Sequence, residues 1–212
     1  MTRKGGDYLH IETFVSAFGQ NTYLCTHEGK AFVIDPGADA RKIKEYLKEH
    51  GVDLVGVLLT HGHYDHTYTL NDVLDIKSVP VFIHEAEEDF LYDESLNLSM
   101  HAPKTVIAQQ TTEVKTLKDN DIIDIAGVEI SVVHTPGHTR GSVCFAVENV
   151  LFTGDLVFEG AIGRTDLPTG DYDVISKSLL ALAKRFNDET VLYPGHGPVT
   201  TLGKEKKGNP LL

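Results

Sequence analysis

Leu54-Val55-Gly56-Val57-Leu58-Leu59-Thr60-His61-Gly62-His63-Tyr64-Asp65-His66 changes character halfway along. Its first six residues are apolar without alternation, the pattern of a short strand buried on both faces, and polarity switches at Thr60. A polar cluster therefore sits at the C-terminal end of a buried strand. Extended backbone puts His61 and His63 on one side, and a helix starting near Asp65 points that carboxylate and His66 roughly 100° apart from its first turn. One short turn can then serve two cations. Imidazole nitrogens and carboxylate oxygens are good zinc ligands and also suit iron. Facing one another with no cation, the same groups would be unsatisfied polar atoms, so the cluster reads as metal-binding rather than as a solvated loop.

Upstream, Leu9–Val15, Thr22–Thr26 and Ala31–Ile34 are strand candidates separated by Gly19-Gln20-Asn21 and Glu28-Gly29-Lys30, which predicts an antiparallel meander. Asp35-Pro36-Gly37 closes it. Asp39 can cap a helix reaching Gly51, with Ile43, Tyr46 and Leu47 at helical spacing. Downstream, Thr67–Ile76 reads as a helix and Pro80–Ile83 as a strand. Residues 85–110 leave this rhythm, starting with an acidic helical segment; long excursions of this kind are usually functional, and Leu96, Leu98 and Met100 are expected to border a substrate cleft. Strand signals return over Glu113–Leu117, Ile122–Ile125, Val128–His134, Ser142–Val147 and Val150–Thr153. A Gly-rich passage over 159–166, a helix over Asp173–Lys184 and a strand at Val191–Tyr193 complete the chain. Strands, helix, strand, helix occur twice, which predicts an α/β fold of two packed sheets with helices outside, in one domain over 1–212.

Three further ligand candidates follow strands in the same way: His138 in Thr135-Pro136-Gly137-His138-Thr139, Asp155 after Thr153-Gly154, and His196 in Gly195-His196-Gly197. All can gather along one edge of the sheets. His10, His27, His50 and His84 have no such partners, and His134 reads as a structural hydrogen-bonding residue. The 212 residues carry 41% hydrophobic and 24% charged side chains, an ordinary soluble composition. A net charge of −12 repels phosphate backbones and anionic membranes, so nucleic acid and membrane are disfavoured as partners. The start, Met1 to Tyr8, leads into Leu9 without an apolar signal core, and no stretch approaches the ~20 apolar residues of a bilayer span, so a cytoplasmic protein is expected. Cys25 and Cys144 lie in strand-like runs and read as reduced core residues.

Together, the His61–His66 cluster, Gly137-His138-Thr139, Thr153-Gly154-Asp155 and Gly195-His196-Gly197 resemble, in order, the metal motifs of the metallo-β-lactamase superfamily. That fold is an αββα sandwich. Within the superfamily the chain most resembles the glyoxalase II-like hydrolases, through Gln20 to Leu24, Ile34 to Gly37, Ile162 to Asp166 and Thr200 to Lys206. The resemblance implies that His61, His63 and His138 hold one metal and Asp65, His66 and His196 the other, with Asp155 bridging. It implies two divalent ions, zinc first, with iron or a zinc/iron mixture also suited. A bridging hydroxide would attack the carbonyl of a small thioester, hydroxyacyl-glutathione or a related one. Asp65 and Asp155 would be the catalytic carboxylates. Arg164 either binds an anionic substrate or fixes its loop through Asp166.

The chain departs from the family at Thr67-Tyr68-Thr69, which alters the pocket wall, and at Arg140, where proline is usual. Sixteen residues follow His196, too few for the C-terminal helical domain of the glutathione-specific enzymes, so recognition of glutathione would have to differ. A second reaction class fits the same motifs: the persulfide dioxygenases of the superfamily share Gly163-Arg164-Thr165-Asp166 and use a single iron held at positions matching His61, His138 and Asp155.

Overall fold

The computed structural model describes residues 9–212, so the start read above as lacking a signal core lies outside the described residues. Strands β1 (His10–Val15), β2 (Asn21–His27) and β3 (Lys30–Ile34) form the expected antiparallel meander. Helix α1 (Ala40–His50) begins where the Asp39 carboxylate accepts the Arg41 N–H, and it ends at Gly51, whose left-handed backbone returns its N–H to Leu47. Strand β4 (Asp53–Leu58) carries the apolar run.

The single helix expected over 67–76 is two: α2 (Tyr64–Thr67) and α3 (Leu70–Ile76). Thr69 causes the break. Its N–H and hydroxyl both turn to the Pro36 carbonyl, and the hydroxyl also reaches that of Ala38 at 2.7 Å. Strand β5 (Val81–His84) leads into a 3-10 helix at Glu85–Leu91, where an ordinary helix was expected, and β6 (Val114–Leu117) ends the excursion.

The second half contains β7 (Ile122–Ile125), β8 (Val128–His134), β9 (Val143–Val147) and β10 (Val150–Gly154). A small ribbon, β11 (Val157–Phe158) and β12 (Ala161–Ile162), opens the Gly-rich passage. Helix α4 (Tyr172–Arg185), capped by Asp171, and β13 (Val191–Pro194) match the sequence reading. Strand β14 (Thr200–Thr201) and α5 (Leu202–Gly208) had no counterpart in it.

Two six-stranded mixed sheets result, ordered β1-β2-β3-β4-β5-β6 and β14-β13-β10-β9-β8-β7. Strand alternation sorts the side chains into layers. On β2 and β3, Leu24, Ala31 and Val33 pack outward with Ile43 and Leu47 of α1, whereas Tyr23, Cys25, Phe32 and Ile34 enter the layer between the sheets. On β8 and β9, Ile130, Val132 and Phe145 meet them there, and Val133 and Cys144 face Ile175, Leu179 and Leu182 of α4. The αββα sandwich follows from that sorting. Both cysteines are buried and free.

Candidate metal centre

The ends of β4, β8, β10 and β13 bring all seven candidate ligands to one edge of the sandwich. Their ligand atoms form three overlapping groups, each within 4.8 Å: His61, His63 and His138; His61, His66 and Asp155; and Asp65, His66 and His196. In the first group, Nε2 of His138 lies 2.9 Å from Nδ1 of His63 and 3.2 Å from Nε2 of His61. In the third, Nε2 of His196 lies 3.1 Å from Oδ2 of Asp65. Asp155 stands between them, with Oδ1 3.2 Å from His66 Nε2 and Oδ2 3.6 Å from His138 Nε2 and 3.7 Å from His196 Nε2.

Hydrogen bonds on the far side of the rings fix which nitrogens face the centre. The Thr60 hydroxyl donates to Asp35 Oδ2 at 2.6 Å, so its oxygen is left to accept from His61 Nδ1 at 3.2 Å. His138 Nδ1 donates to the Arg164 carbonyl at 2.8 Å, His66 Nδ1 to Asp35 Oδ2 at 2.9 Å and His196 Nδ1 to the Gly19 carbonyl at 3.2 Å. In the neutral ring, each donated N–H leaves a lone pair on the inward nitrogen. The inward lone pairs of His61 and His138, 3.2 Å apart, repel unless an electrophile lies between them. Nε2 of His66 and Oδ1 of Asp155 are also buried without a hydrogen-bond partner, which fits a set of cation ligands.

The electrostatics agree. Burial pushes the pKa of His61 well below its usual value, with the neighbouring imidazoles adding to it, and takes that of His63 to about 3, so both offer neutral nitrogens. Burial works against a charged His66 too, but Asp155, Asp65 and Asp35 outweigh it and hold its pKa well above the usual value. Asp155 is buried, yet His66, His138 and His196 keep it below the carboxylate range. The carboxylates thus demand positive charge at the centre of the site, which divalent ions supply.

Two supports were not legible in the sequence. Asp35, 1% exposed, accepts from the Thr60 N–H and hydroxyl and from His66; the sequence reading had it closing a strand and within the Ile34 to Gly37 resemblance, with no role assigned. The turn between β1 and β2 holds His196 through Gly19, and Asn21 donates to the carbonyls of Pro194 and Gly197. Gly154 has φ +48° and a Cβ there would lie 2.5 Å from the Thr60 hydroxyl, so a side chain is excluded where β10 passes β4.

The ligands open onto a cavity of about 320 Å³ lined by Tyr64, Leu98, Phe158, Ile162, Arg164 and Leu167. Of the three excursion residues expected at a cleft, Leu98 lines it; Leu96 and Met100 do not, and Met100 is 56% exposed. Arg164 sits at the cavity with its guanidinium paired to Asp166 at 2.8–2.9 Å. His134 bonds the Arg140 carbonyl and stacks on His84, a structural role as expected.

Residues 15–196 match the metallo-beta-lactamase superfamily profile. The chain belongs to that superfamily. Among curated members, it is 37% identical over 194 residues to the uncharacterized protein Rv2581c of Mycobacterium tuberculosis, covering 86% of this chain and 87% of that one. It is 33% identical over 208 residues to hydroxyacylglutathione hydrolase GloC of Haemophilus influenzae, covering 96% and 98%. Among superfamily structures, the BLEG-1 B3 metallo-beta-lactamase superposes with a TM-score of 0.89 at 33% identity, over 96% of this chain and 99% of that one. TTHA1623 in a di-iron-bound form superposes at 0.82 with 31% identity, over 96% and 100%.

Proposed function

We propose that this chain is a metal-dependent hydrolase that cleaves a small thioester, hydroxyacyl-glutathione or a related one, using two divalent cations. The observation that carries this reading is Asp155, whose two oxygens address His66 on one side and His138 and His196 on the other. His61, His63 and His138 hold one ion and Asp65, His66 and His196 the other; the donors suit zinc first and iron as well. A relative of nearly the same extent carries the name hydroxyacylglutathione hydrolase, which supports the substrate class. A related structure with two irons supports the metal count.

When bound, the ions lower the pKa of a water toward neutrality and polarise the substrate carbonyl. The chain's residues do the rest. Asp65, partly exposed at the cavity, would orient the attacking water. Leu98, Phe158, Ile162 and Leu167 receive the apolar part of the substrate and exclude solvent from the reacting bond. Arg164 meets an anionic group on the substrate; its pair with Asp166 is exposed on both sides, so exchanging partners costs little. Arg164→Ala should raise KM severalfold with kcat nearly constant, and unchanged kinetics would leave Arg164 a loop residue.

Elemental analysis of protein purified without chelator or metal-binding tag comes first, followed by assays against a hydroxyacyl-glutathione thioester, a β-lactam, and a persulfide with an oxygen electrode. Close to two metals per chain with thioester turnover is the expected result. His61, His138 and Asp155 also converge, with His138 Nε2 at 3.2 and 3.6 Å from the other two, which favours the mononuclear iron dioxygenase as the second reading. One iron per chain with oxygen consumption on persulfide would replace the first reading with the second. Turnover of the β-lactam alone would overturn the thioester assignment.

A further inference from the structure

Glu87 lies on the 3-10 helix Glu85–Leu91 and is 0% exposed. Its Oε2 accepts the Gly62 N–H at 2.9 Å, and its Oε1 accepts the Gly141 N–H at 2.9 Å. The Thr139 hydroxyl, 2.7 Å from that of Ser142, faces the same carboxylate and holds its pKa down. Gly62 stands between His61 and His63; Thr139 and Gly141 belong to the turn that carries His138. One planar group therefore joins the two loops whose nitrogens meet at 2.9–3.2 Å.

The packing around it leaves little slack. A Cβ on Gly62 would lie 2.3 Å from Phe90 Cβ, and one on Gly141 would lie 2.5 Å from Glu87 Cγ, so both loops press directly against this helix. From outside, Arg140 donates to the Ala86 carbonyl at 2.8 Å and pairs with Asp89, seating the helix against the His138 turn. Burying a carboxylate is costly, and burial pushes the Glu87 pKa up to about 7 against the pull of Thr139 and the two backbone donors. A neutral apolar side chain would fill this space with less penalty but could accept no hydrogen bond from either loop.

We propose that Glu87 is a positioning residue for the His61, His63 and His138 ligand set, clamping its two loops with the two oxygens of one carboxylate. This rests on the reading of those histidines as metal ligands. Gln at 87 keeps the shape but presents an NH₂ to one of the two N–H donors, so one half of the clamp is lost.

The test compares wild type and Glu87→Gln by cobalt(II) titration, following the visible absorption of the bound ion and its affinity in competition with a chelating dye. Far-UV circular dichroism and urea unfolding of the metal-free proteins run alongside. Expected is a native, cooperatively unfolding variant in which one of two binding steps weakens by roughly 10-fold or more, with an altered cobalt spectrum. A variant with a shifted unfolding midpoint but wild-type affinities and spectrum would make Glu87 merely structural and overturn the proposal. If wild type itself takes up no cobalt, the metal reading fails first and the clamp falls with it. Should Glu87→Gln not fold, Thr139→Val removes the hydroxyl that faces the carboxylate and should weaken the same step severalfold; wild-type values there would also overturn the proposal.

Discussion

On the proposed two-ion reading, Asp155 is the residue on which both candidate ligand sets depend. With Ala in its place, each set loses a carboxylate oxygen and His66 loses the largest of the charges that raise its pKa. Asp155→Ala should abolish turnover and lower the content of both metals, and full activity with two bound ions would refute the shared role. Glu87 makes a prediction of another kind, about pH. Its pKa rises from 4.5 to about 7 on folding, so between those values the native state holds the proton more tightly than the unfolded chain. Stability contributed by Glu87 is then present below about pH 4.5 and lost as pH climbs toward 7, by at most about 3 kcal/mol at 1.36 kcal/mol per pKa unit. The unfolding free energy of metal-free wild type, taken relative to Glu87→Gln to cancel other groups, should fall across that window. A flat difference would mean that Glu87 titrates normally.

Elements of this fold are held in place by short loops that borrow one another's backbone groups. The break between α2 and α3 is the clearest case. Thr69 ties it to the Pro36 and Ala38 carbonyls at 2.9 and 2.7 Å, and Asp35, next in the chain, supports His66. Thr69→Val keeps the volume and removes both bonds, leaving buried carbonyls with less satisfaction. A loss of roughly 1–3 kcal/mol in urea unfolding is expected. An unchanged midpoint would mean that the loop carbonyls find other donors. The 67–76 stretch reads as one helix in sequence because Leu70, Val73 and Leu74 keep helical spacing; nothing local to Tyr68-Thr69 announces partners more than 30 residues away.

At the scale of the whole molecule, the sandwich holds a cluster of imidazoles and carboxylates at the edge where both sheets end. Ligands that converge in the native state and scatter in the unfolded chain link metal binding to folding. Metal at a thousandfold over its dissociation constant stabilises by about 4 kcal/mol, so a chelator should lower Tm by roughly 10 °C in a chain of this size. Identical melting curves with and without chelator would argue that the cluster holds no ion. Among the described residues no helix is long and apolar enough to cross a membrane.

Most of the strands, the two packed sheets with helices outside and the seven candidates that converge at one edge were legible in the sequence, for a physical reason: strand alternation and the switch from apolar to polar at a strand end are local signals. His61 to His66, His138, Asp155 and His196 each announce themselves beside a strand that can be recognised on its own. What holds the ligands was decided only by the tertiary structure. Asp35 reaches Thr60 and His66 across 25 and 31 residues, Gly19 reaches His196 across 177, and Glu87 spans 25 residues one way and 54 the other. An acidic residue in an acidic segment, or a carbonyl in a turn, has no local signature of such a role. Its meaning comes from which backbone groups the fold buries beside it.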